Sequence, residues 1–185
     1  MKKEARKFNR KVYSSGSSIK VLNTKILAKD LTICQQWNLF IDLKLPNRST
    51  TEWENIFSVQ VLETNDLTGG SRIPTVWVRP DKSNFMIMIA YNINTSQSNV
   101  YNITKKVNMG SWISLKISQT SDTQEIKIDY KTVYNKTSSV SKTWTLMNLV
   151  TGNTDGKENL SANVQYRNFE INTCEPKGKN KKYKN

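Results

Sequence analysis

The chain contains no histidine, which removes most of the catalytic chemistry open to a protein of 185 residues. Ser-His-Asp and Cys-His nucleophiles, imidazole acid-base catalysis and His-based metal sites all need that side chain. Carboxylate pairs remain, and a glycoside hydrolase needs two of them about 5–10 Å apart across the bond that it cleaves.

The nearest carboxylate pairs in the sequence are Glu125 with Asp129 and Glu52 with Glu54. The first pair belongs to an alternation that points Asp129 to solvent, and the second lies in a turn-rich loop. Neither pair has the spacing of an active site, so we predict no catalytic residue and a protein that is not an enzyme.

Aromatic and amide side chains offer a second kind of chemistry, the binding of sugar rings and hydroxyl groups. Two tyrosines flank a polar, Asn-rich loop, where they either frame a binding rim or simply end two strands. Trp77 and Trp112 lie instead in strand-like stretches and are predicted to pack in the core or on a sheet face. The candidate ligand-binding residues are Trp53, Tyr91, Asn92, Asn94, Asn99 and Tyr101.

The two cysteines, Cys34 and Cys174, lie near the two ends of the central part of the chain. Without histidine they cannot supply a four-ligand zinc site. They are either two unrelated buried thiols or a disulfide that joins the first and last elements of the domain, and their position favours the disulfide. In the chain-entropy model a loop of that length stabilises the fold by roughly 4–5 kcal/mol.

N-glycosylation sequons occur five times, but they carry little weight. With 21 Asn and many Ser and Thr, chance alone predicts about four such sequons. The candidate glycosylation sites are Asn47, Asn94, Asn102, Asn135 and Asn159.

The formal net charge of +13 is concentrated at the two ends. Residues 1–30 carry nine Lys or Arg against two acids, and residues 175–185 carry five Lys against one Glu. We predict a flexible basic arm over 1–18, a domain over 19–174 and a basic tail over 175–185. Such arms either bind polyanions without choosing between them or are merely solvated. Their basic residues are Lys2, Lys3, Arg6, Lys7, Arg10, Lys11, Lys177, Lys179, Lys181, Lys182 and Lys184.

Apolar and polar residues alternate along most of the body, which is the period of a β-strand. The alternation is clearest over residues 39–45, 113–117 and 126–130, and the last of these stretches is expected to turn near Tyr130 and return. Turn-forming clusters separate the runs. Residues 19–31 fit either a helix or a leading strand. We predict an all-β antiparallel sandwich of ten or more strands.

The longest apolar run, residues 85–91, is apolar on both faces and is predicted to form a central strand. At seven residues it is too short to span a bilayer. The N-terminus is basic and lacks the apolar region of a secretory signal. The protein is therefore either intracellular or a mature fragment of a secreted one.

Four stretches of the body resemble the laminin G-like, concanavalin A-like jelly-roll domains. They are RIPTVWVRPDKSNFMIMIAYN (72–92), GSWISLKISQ (110–119), EIKIDYKTVYNK (125–136) and VQYRNFEINT (164–173). Each is similar to a strand or hairpin of that family, except that the third lacks the usual Gly in its turn. The resemblance covers roughly residues 20–174.

The resemblance implies a jelly roll of two curved antiparallel sheets with adjacent chain ends, which supports a Cys34–Cys174 disulfide. Members of the family bind glycans, sulfated polysaccharides, matrix proteins or receptors. Many hold a calcium ion at one rim through an Asp side chain and backbone carbonyls. Asp66 and Asp81 are the candidates here, although an Asp in a turn more often bonds to its own backbone. No other cofactor is expected.

Two functions from different classes follow. The first is a secreted recognition or adhesion module that binds glycan, sulfated polysaccharide or an extracellular protein through its rim loops. The alternative is a structural or assembly protein whose basic arms contact nucleic acid or neighbouring subunits. An occupied disulfide and used sequons favour the first function, whereas free thiols and retained nucleic acid favour the second.

Overall fold

A computed structural model describes residues 10–22, 25–46, 54–60, 74–79, 86–90, 103–108, 110–120, 122–137, 144–151 and 164–173. These residues form thirteen β-strands and no helix. The strands are β1 (Arg10–Ser14), β2 (Lys20–Val21), β3 (Lys25–Ile33), β4 (Trp37–Lys44), β5 (Glu54–Gln60), β6 (Thr75–Arg79), β7 (Met86–Ala90), β8 (Ile103–Lys106), β9 (Trp112–Gln119), β10 (Thr123–Ile128), β11 (Lys131–Thr137), β12 (Trp144–Thr151) and β13 (Gln165–Thr173).

The strands form two sheets. The first has the order β1-β13-β4-β9-β10-β11, with β2 paired to the same strand as β1, and the second has the order β3-β12-β5-β6-β7-β8. Every pairing is antiparallel. The predicted all-β antiparallel sandwich is therefore confirmed. The strand predicted to be central, β7, lies inside the second sheet between β6 and β8.

The core lies between the sheets and uses the apolar half of each alternation. In β4 the buried side chains include Leu39, Ile41 and Leu43, each at 0% exposure. Their register partners in β9 are Ile117, Leu115 and Ile113, which are also buried. Because side chains alternate across a strand, the residues between them point to the opposite face of the first sheet.

An aromatic cluster joins the two sheets around Phe169 of β13. The ring of Phe169 lies 5.0 Å from that of Phe57 in the second sheet and 5.3 Å from that of Tyr13 in β1. Tyr166 meets the same ring edge-on, with its centroid at 6.2 Å. Burial, followed by the neighbouring Tyr166 hydroxyl, raises the pKa of Tyr13, so both phenols stay neutral in this cluster.

The prediction of a flexible arm over residues 1–18 is wrong for its second half. Arg10–Ser14 form β1, which pairs with β13 at the edge of the first sheet. Two causes hold it there: Val12 and Tyr13 pack against the core, and the Lys11 ammonium lies 2.6 Å from a Glu170 carboxylate oxygen. Arg10 and Lys11 are thus strand residues, while residues 1–9 and 174–185 lie outside the described part of the chain.

Other local predictions are resolved by the strands. Residues 19–31, for which a helix and a strand were both open, contain β2 and most of β3. The turn expected near Tyr130 joins β10 to β11. No helix in the described ranges is long and apolar enough to cross a membrane.

Cys34 lies at the end of β3, where β13 also ends. Its side chain is 2% exposed, and its backbone N–H donates to the Thr173 hydroxyl at 2.8 Å. Thr173 directly precedes Cys174 in the sequence. Cys34 therefore lies at the end of the sandwich where the described part of β13 ends. The disulfide itself stays a prediction because Cys174 lies outside the described residues.

Candidate functional site

The outward-pointing side chains of the first sheet form a surface that we call the outer face. Cross-strand partners align its side chains into rows. One row runs from Glu170 through Phe40, Lys116 and Lys127 to Thr132. The neighbouring row, from Asn172 to Asn135, holds three amides, one hydroxyl and one carboxylate. The members of that second row are Asn172, Asn38, Ser118, Glu125 and Asn135.

A groove of about 450 Å³ lies on the outer face, across β4, β9 and β10. Its volume is in the range of sites that hold small molecules. Amide, hydroxyl and ammonium groups line it together with two aromatic rings. The lining residues are Asn38, Phe40, Ser114, Lys116, Lys127 and Tyr130.

Tyr130 contributes a highly exposed aromatic ring to the groove, at 80% exposure. It occupies the second position of the two-residue turn between β10 and β11, where Asp129 has φ of 49° and Tyr130 has φ of 63°. Positive φ at both central residues is the pattern of a type I′ hairpin turn, whose usual second residue is Gly. A bulky side chain in this region costs roughly 1–2 kcal/mol, so the chain keeps an exposed tyrosine where glycine would be more favourable.

The turn that carries Tyr130 is tied to the sheet beside it. The Asp129 carboxylate accepts a hydrogen bond from the Ser114 backbone N–H at 3.0 Å, and the Asp129 N–H donates to the Ser114 carbonyl at 2.9 Å. These two bonds link the turn to β9 in the middle of the groove. They hold the strained turn in one place and thereby position the phenol ring at the groove edge.

Asp42 anchors the other side of the outer face. Its side chain, in a residue that is only 8% exposed, accepts hydrogen bonds from the Ser114 hydroxyl at 2.6 Å and the Asn168 amide at 2.8 Å. The Arg167 guanidinium lies 3.4 Å from the same carboxylate. A buried carboxylate with three donors connects β13, β4 and β9 and fixes the Ser114 side chain, which lines the groove.

A β-bulge in β13 places the Asn168 side-chain amide within hydrogen-bond distance of the Asp42 carboxylate. The register of β13 against β4 shifts between Arg167 and Glu170, and Asn168 has φ of 53°. Asn is one of the residue types that tolerates this conformation. The bulge is braced from outside by the Asn168 N–H, which donates to the Gly16 carbonyl at 2.9 Å.

Arg167 covers a tryptophan that sequence reasoning assigned to packing. The guanidinium carbon lies 4.4 Å from the centre of the Trp112 ring, which is half-buried on the outer face. The planar guanidinium of Arg167 thus stacks on the Trp112 ring, and its charge pairs with the Asp42 carboxylate. Sheet-face packing of Trp112 is confirmed, and Trp77 is buried in β6.

The charges in the groove are not balanced. Lys116 and Lys127 are direct cross-strand partners. The Lys127 ammonium lies 2.9 Å from the Glu125 carboxylate, and this bond is the largest cause that holds the pKa of Glu125 below its usual range. The Thr132 hydroxyl also donates to Glu125, at 3.2 Å. Within the described ranges, Lys116 has no carboxylate at ion-pair distance.

A second, smaller cavity of about 250 Å³ lies at one end of the first sheet. Val107, Ile128 and Val133 supply apolar walls, and Asp129 and Lys131 lie at its side. The cavity shares no lining residue with the groove, but Asp129 and Lys131 place it beside the turn that carries Tyr130.

The groove is not where the sequence placed the ligand site. Trp53, Tyr91, Asn92, Asn94, Asn99 and Tyr101 all lie outside the described residues and stay predictions, as do the calcium candidates Asp66 and Asp81. The ranges that the structure describes contain no cluster of three or more His, Cys, Asp or Glu side chains suited to a metal ion. Of the sequon residues, Asn135 is described, and its side chain is exposed on β11.

Comparisons with known proteins match the architecture alone. No family model matches the chain, and no curated protein matches it in sequence, so membership of the laminin G-like family stays a prediction. Among solved structures, domain 4 of an extracellular arabinanase from Geobacillus stearothermophilus, in complex with arabinotriose, is similar at a TM-score of 0.52 and 15% identity. It covers 92% of this chain and 80% of its own.

Two further structures support the same fold. A heptameric pentraxin from Limulus polyphemus has a TM-score of 0.56 at 11% identity over 83% of this chain and 74% of its own. The carbohydrate-binding module CBM66 from Bacillus subtilis has a TM-score of 0.50 at 11% identity over 87% of this chain and 99% of its own. The chain therefore has the antiparallel β-sandwich jelly-roll fold that the sequence predicted.

Proposed function

We propose that this protein is a non-enzymatic carbohydrate-recognition module that binds a glycan in the groove on its outer face. The observation that carries the proposal is Tyr130, an exposed aromatic ring held in a strained turn beside a groove of polar side chains. Strain that is retained without a packing benefit is typical of functional positions. A flat exposed ring is also what the apolar face of a sugar needs for stacking.

The other groove residues suit the polar edges of a sugar. The Asn38 amide, the Ser114 hydroxyl and the lysine ammonium groups supply donors and acceptors for ring hydroxyls. Among the solved structures of similar fold, one is named as a carbohydrate-binding module and another holds arabinotriose. These names belong to those proteins, and they support a glycan as the class of ligand to test first.

Binding is favoured over catalysis because the carboxylates of the outer face are engaged. Asp42 is bonded to three neighbours, Glu170 is paired with Lys11, and Glu125 is paired with Lys127. A glycosidase needs a carboxylic acid whose pKa is raised so that it can donate a proton. The pKa of Glu125 is instead lowered, which keeps it ionised.

We place this module outside the cell, with Cys34 and Cys174 joined as a disulfide. The support is the position of Cys34, buried beside the residue that precedes Cys174. A disulfide between two end strands persists in an oxidising compartment and not in the cytosol. Adhesion to a matrix glycan is the role that such a location and such a groove would serve.

The test is a glycan array probed with the full chain, with Tyr130→Ala and with Ile26→Ser. The second variant is the matched control, because Ile26 is an exposed apolar residue on β3 of the other sheet. We expect wild type and Ile26→Ser to bind the same class of glycan, and Tyr130→Ala to lose most of that signal. Absence of binding to any glycan, or equal binding by all three proteins, would overturn the proposal.

A further inference from the structure

The centre of the groove holds two like charges next to each other. Lys116 on β9 and Lys127 on β10 are register partners, and Phe40 is the partner of Lys116 on its other side. Like charges directly opposite each other destabilise a sheet. Lys127 is relieved by Glu125 at 2.9 Å. Lys116 is exposed and has no carboxylate at ion-pair distance among the described residues, although its charge also helps to lower the pKa of Glu125. The two lysines therefore share one carboxylate, which leaves the groove with a net positive charge.

Two other cations of the outer face are each paired with a carboxylate: Arg167 with Asp42, and Lys11 with Glu170. The Lys116 ammonium lies in the row that also contains the Phe40 ring, with Tyr130 lining the same groove. With strands about 4.8 Å apart, the row from Phe40 to Lys127 spans roughly 10 Å. That distance is short enough for one ligand to contact the aromatic rings and the lysines together.

We propose that the groove selects an anionic sugar, whose carboxylate or sulfate group lies against Lys116 and Lys127 while the ring stacks on Tyr130. An anion placed there removes the repulsion between the two lysines and gains charge-assisted hydrogen bonds. The Ser114 hydroxyl donates to Asp42 and the Asn38 oxygen accepts from Asn172. The Asn38 amide N–H groups can still donate to hydroxyl groups of the same sugar, and the Ser114 oxygen can still accept from them. This inference rests on the proposed function. It specifies that the ligand is anionic and that Lys116 and Lys127 recognise its charge.

The first experiment compares each polyanion with its neutralised form and needs no variant. The probes are oligogalacturonate and its methyl ester, dextran sulfate and unsulfated dextran, and a neutral xylo-oligosaccharide. We expect at least one charged probe to bind about tenfold more tightly than its neutralised form. A preference for oligogalacturonate identifies the anion as a carboxylate, and a preference for the sulfated polymer identifies it as sulfate.

The second experiment compares Lys116→Gln with Lys29→Gln in the full chain. Lys29 is an exposed lysine on β3, so its variant loses the same charge on the other sheet. We expect Lys116→Gln to weaken binding of the charged probe about fivefold to tenfold and to leave the neutralised probe unchanged. Lys29→Gln should bind as wild type does.

Several outcomes would overturn the inference, and one of them separates it from the proposed function. Equal binding of charged and neutralised forms, with Tyr130→Ala defective on both, refutes the charge selection and keeps the glycan site. If Lys116→Gln leaves binding unchanged, and replacement of Lys2, Lys3 and Lys7 by Gln abolishes it, recognition lies in the basic arm. Tighter, Lys116-dependent binding of a single-stranded oligonucleotide would replace the sugar as occupant. Absence of binding by every probe refutes both proposals.

Discussion

Replacing Tyr130 with glycine should make the protein more stable and less able to bind. Tyr130 has φ of 63°, and relief of that strain is worth roughly 1–2 kcal/mol. About 0.5–1 kcal/mol of this stabilisation is offset, because glycine has more conformational freedom to lose when the chain folds. An 80% exposed ring contributes little packing. The net gain is at most about 1.5 kcal/mol, which for a chain of this size raises Tm by up to roughly 6 °C.

The binding side of the same prediction follows from the lost ring face. A sugar that covers roughly 60 Å² of the phenol at about 25 cal/mol per Å² gains about 1.5 kcal/mol. The loss should therefore weaken glycan binding about tenfold. Tyr130→Ala is the matched control, because alanine removes the ring but keeps a Cβ in the strained conformation.

Thermal unfolding and glycan affinity, measured on all three proteins, separate the two effects. Both variants should bind weakly, and only Tyr130→Gly should gain stability. If Tyr130→Gly unfolds at a lower temperature than wild type, the ring is packing against the fold and the argument from strain is wrong. If Tyr130→Gly binds as tightly as wild type, Tyr130 does not contact the ligand.

Three further predictions concern the fold around the groove. Asp42→Ala should lower the free energy of unfolding by about 1–3 kcal/mol, because the partly buried Ser114 and Asn168 donors lose their acceptor. Urea unfolding measures this, and a loss below about 0.5 kcal/mol would contradict the anchoring role. Glu125 has a lowered folded-state pKa, so it contributes stability above its unfolded pKa of about 4.3 that disappears as the pH falls through the lower folded value. Tm measured from pH 6 to pH 2 should therefore fall less steeply in Glu125→Gln than in wild type, and parallel curves would refute the coupling. Cys34→Ser should cost up to about 5 kcal/mol if the cysteines are joined, and mass spectrometry of the native chain should find two fewer hydrogens than in the reduced chain; an unchanged mass would exclude the disulfide.

The layered β-fold could be predicted from the sequence because alternation is local information. Leu39, Ile41 and Leu43 occupy every second position, and such a run can bury one face only as a strand. The turn at Tyr130 was also recognisable from the break in alternation. Its missing glycine was visible in the sequence, but its meaning required the φ angles that the structure supplies.

The groove could not be predicted because its residues come together only through pairing between distant strands. Phe40 and Lys116 are 76 positions apart and become neighbours through the register of β4 against β9. Asp42 and Arg167 are separated by 125 positions. The one available signal was an Asp inside an otherwise apolar strand, which indicates a polar partner without identifying it.

The N-terminal arm was misplaced for a related reason. Charge dominates residues 1–18, and a high density of lysine and arginine is typical of disordered segments. Val12 and Tyr13 are the only large apolar pair near its end, yet they suffice to add β1 because β13 offers an open edge and Glu170 receives Lys11. Pairing with an existing sheet edge outweighs the local composition.

The most direct test of the glycan site is an NMR titration of the isotope-labelled full chain with the oligosaccharide that binds most tightly on the array. The largest shift changes are expected on the backbone amides of Phe40, Lys116 and Tyr130, which lie in β4, β9 and the β10–β11 turn and all line the groove. Changes concentrated in residues 91–101 would return the site to the rim loop that the sequence favoured. Changes confined to the basic ends would show that the sheet face takes no part in binding.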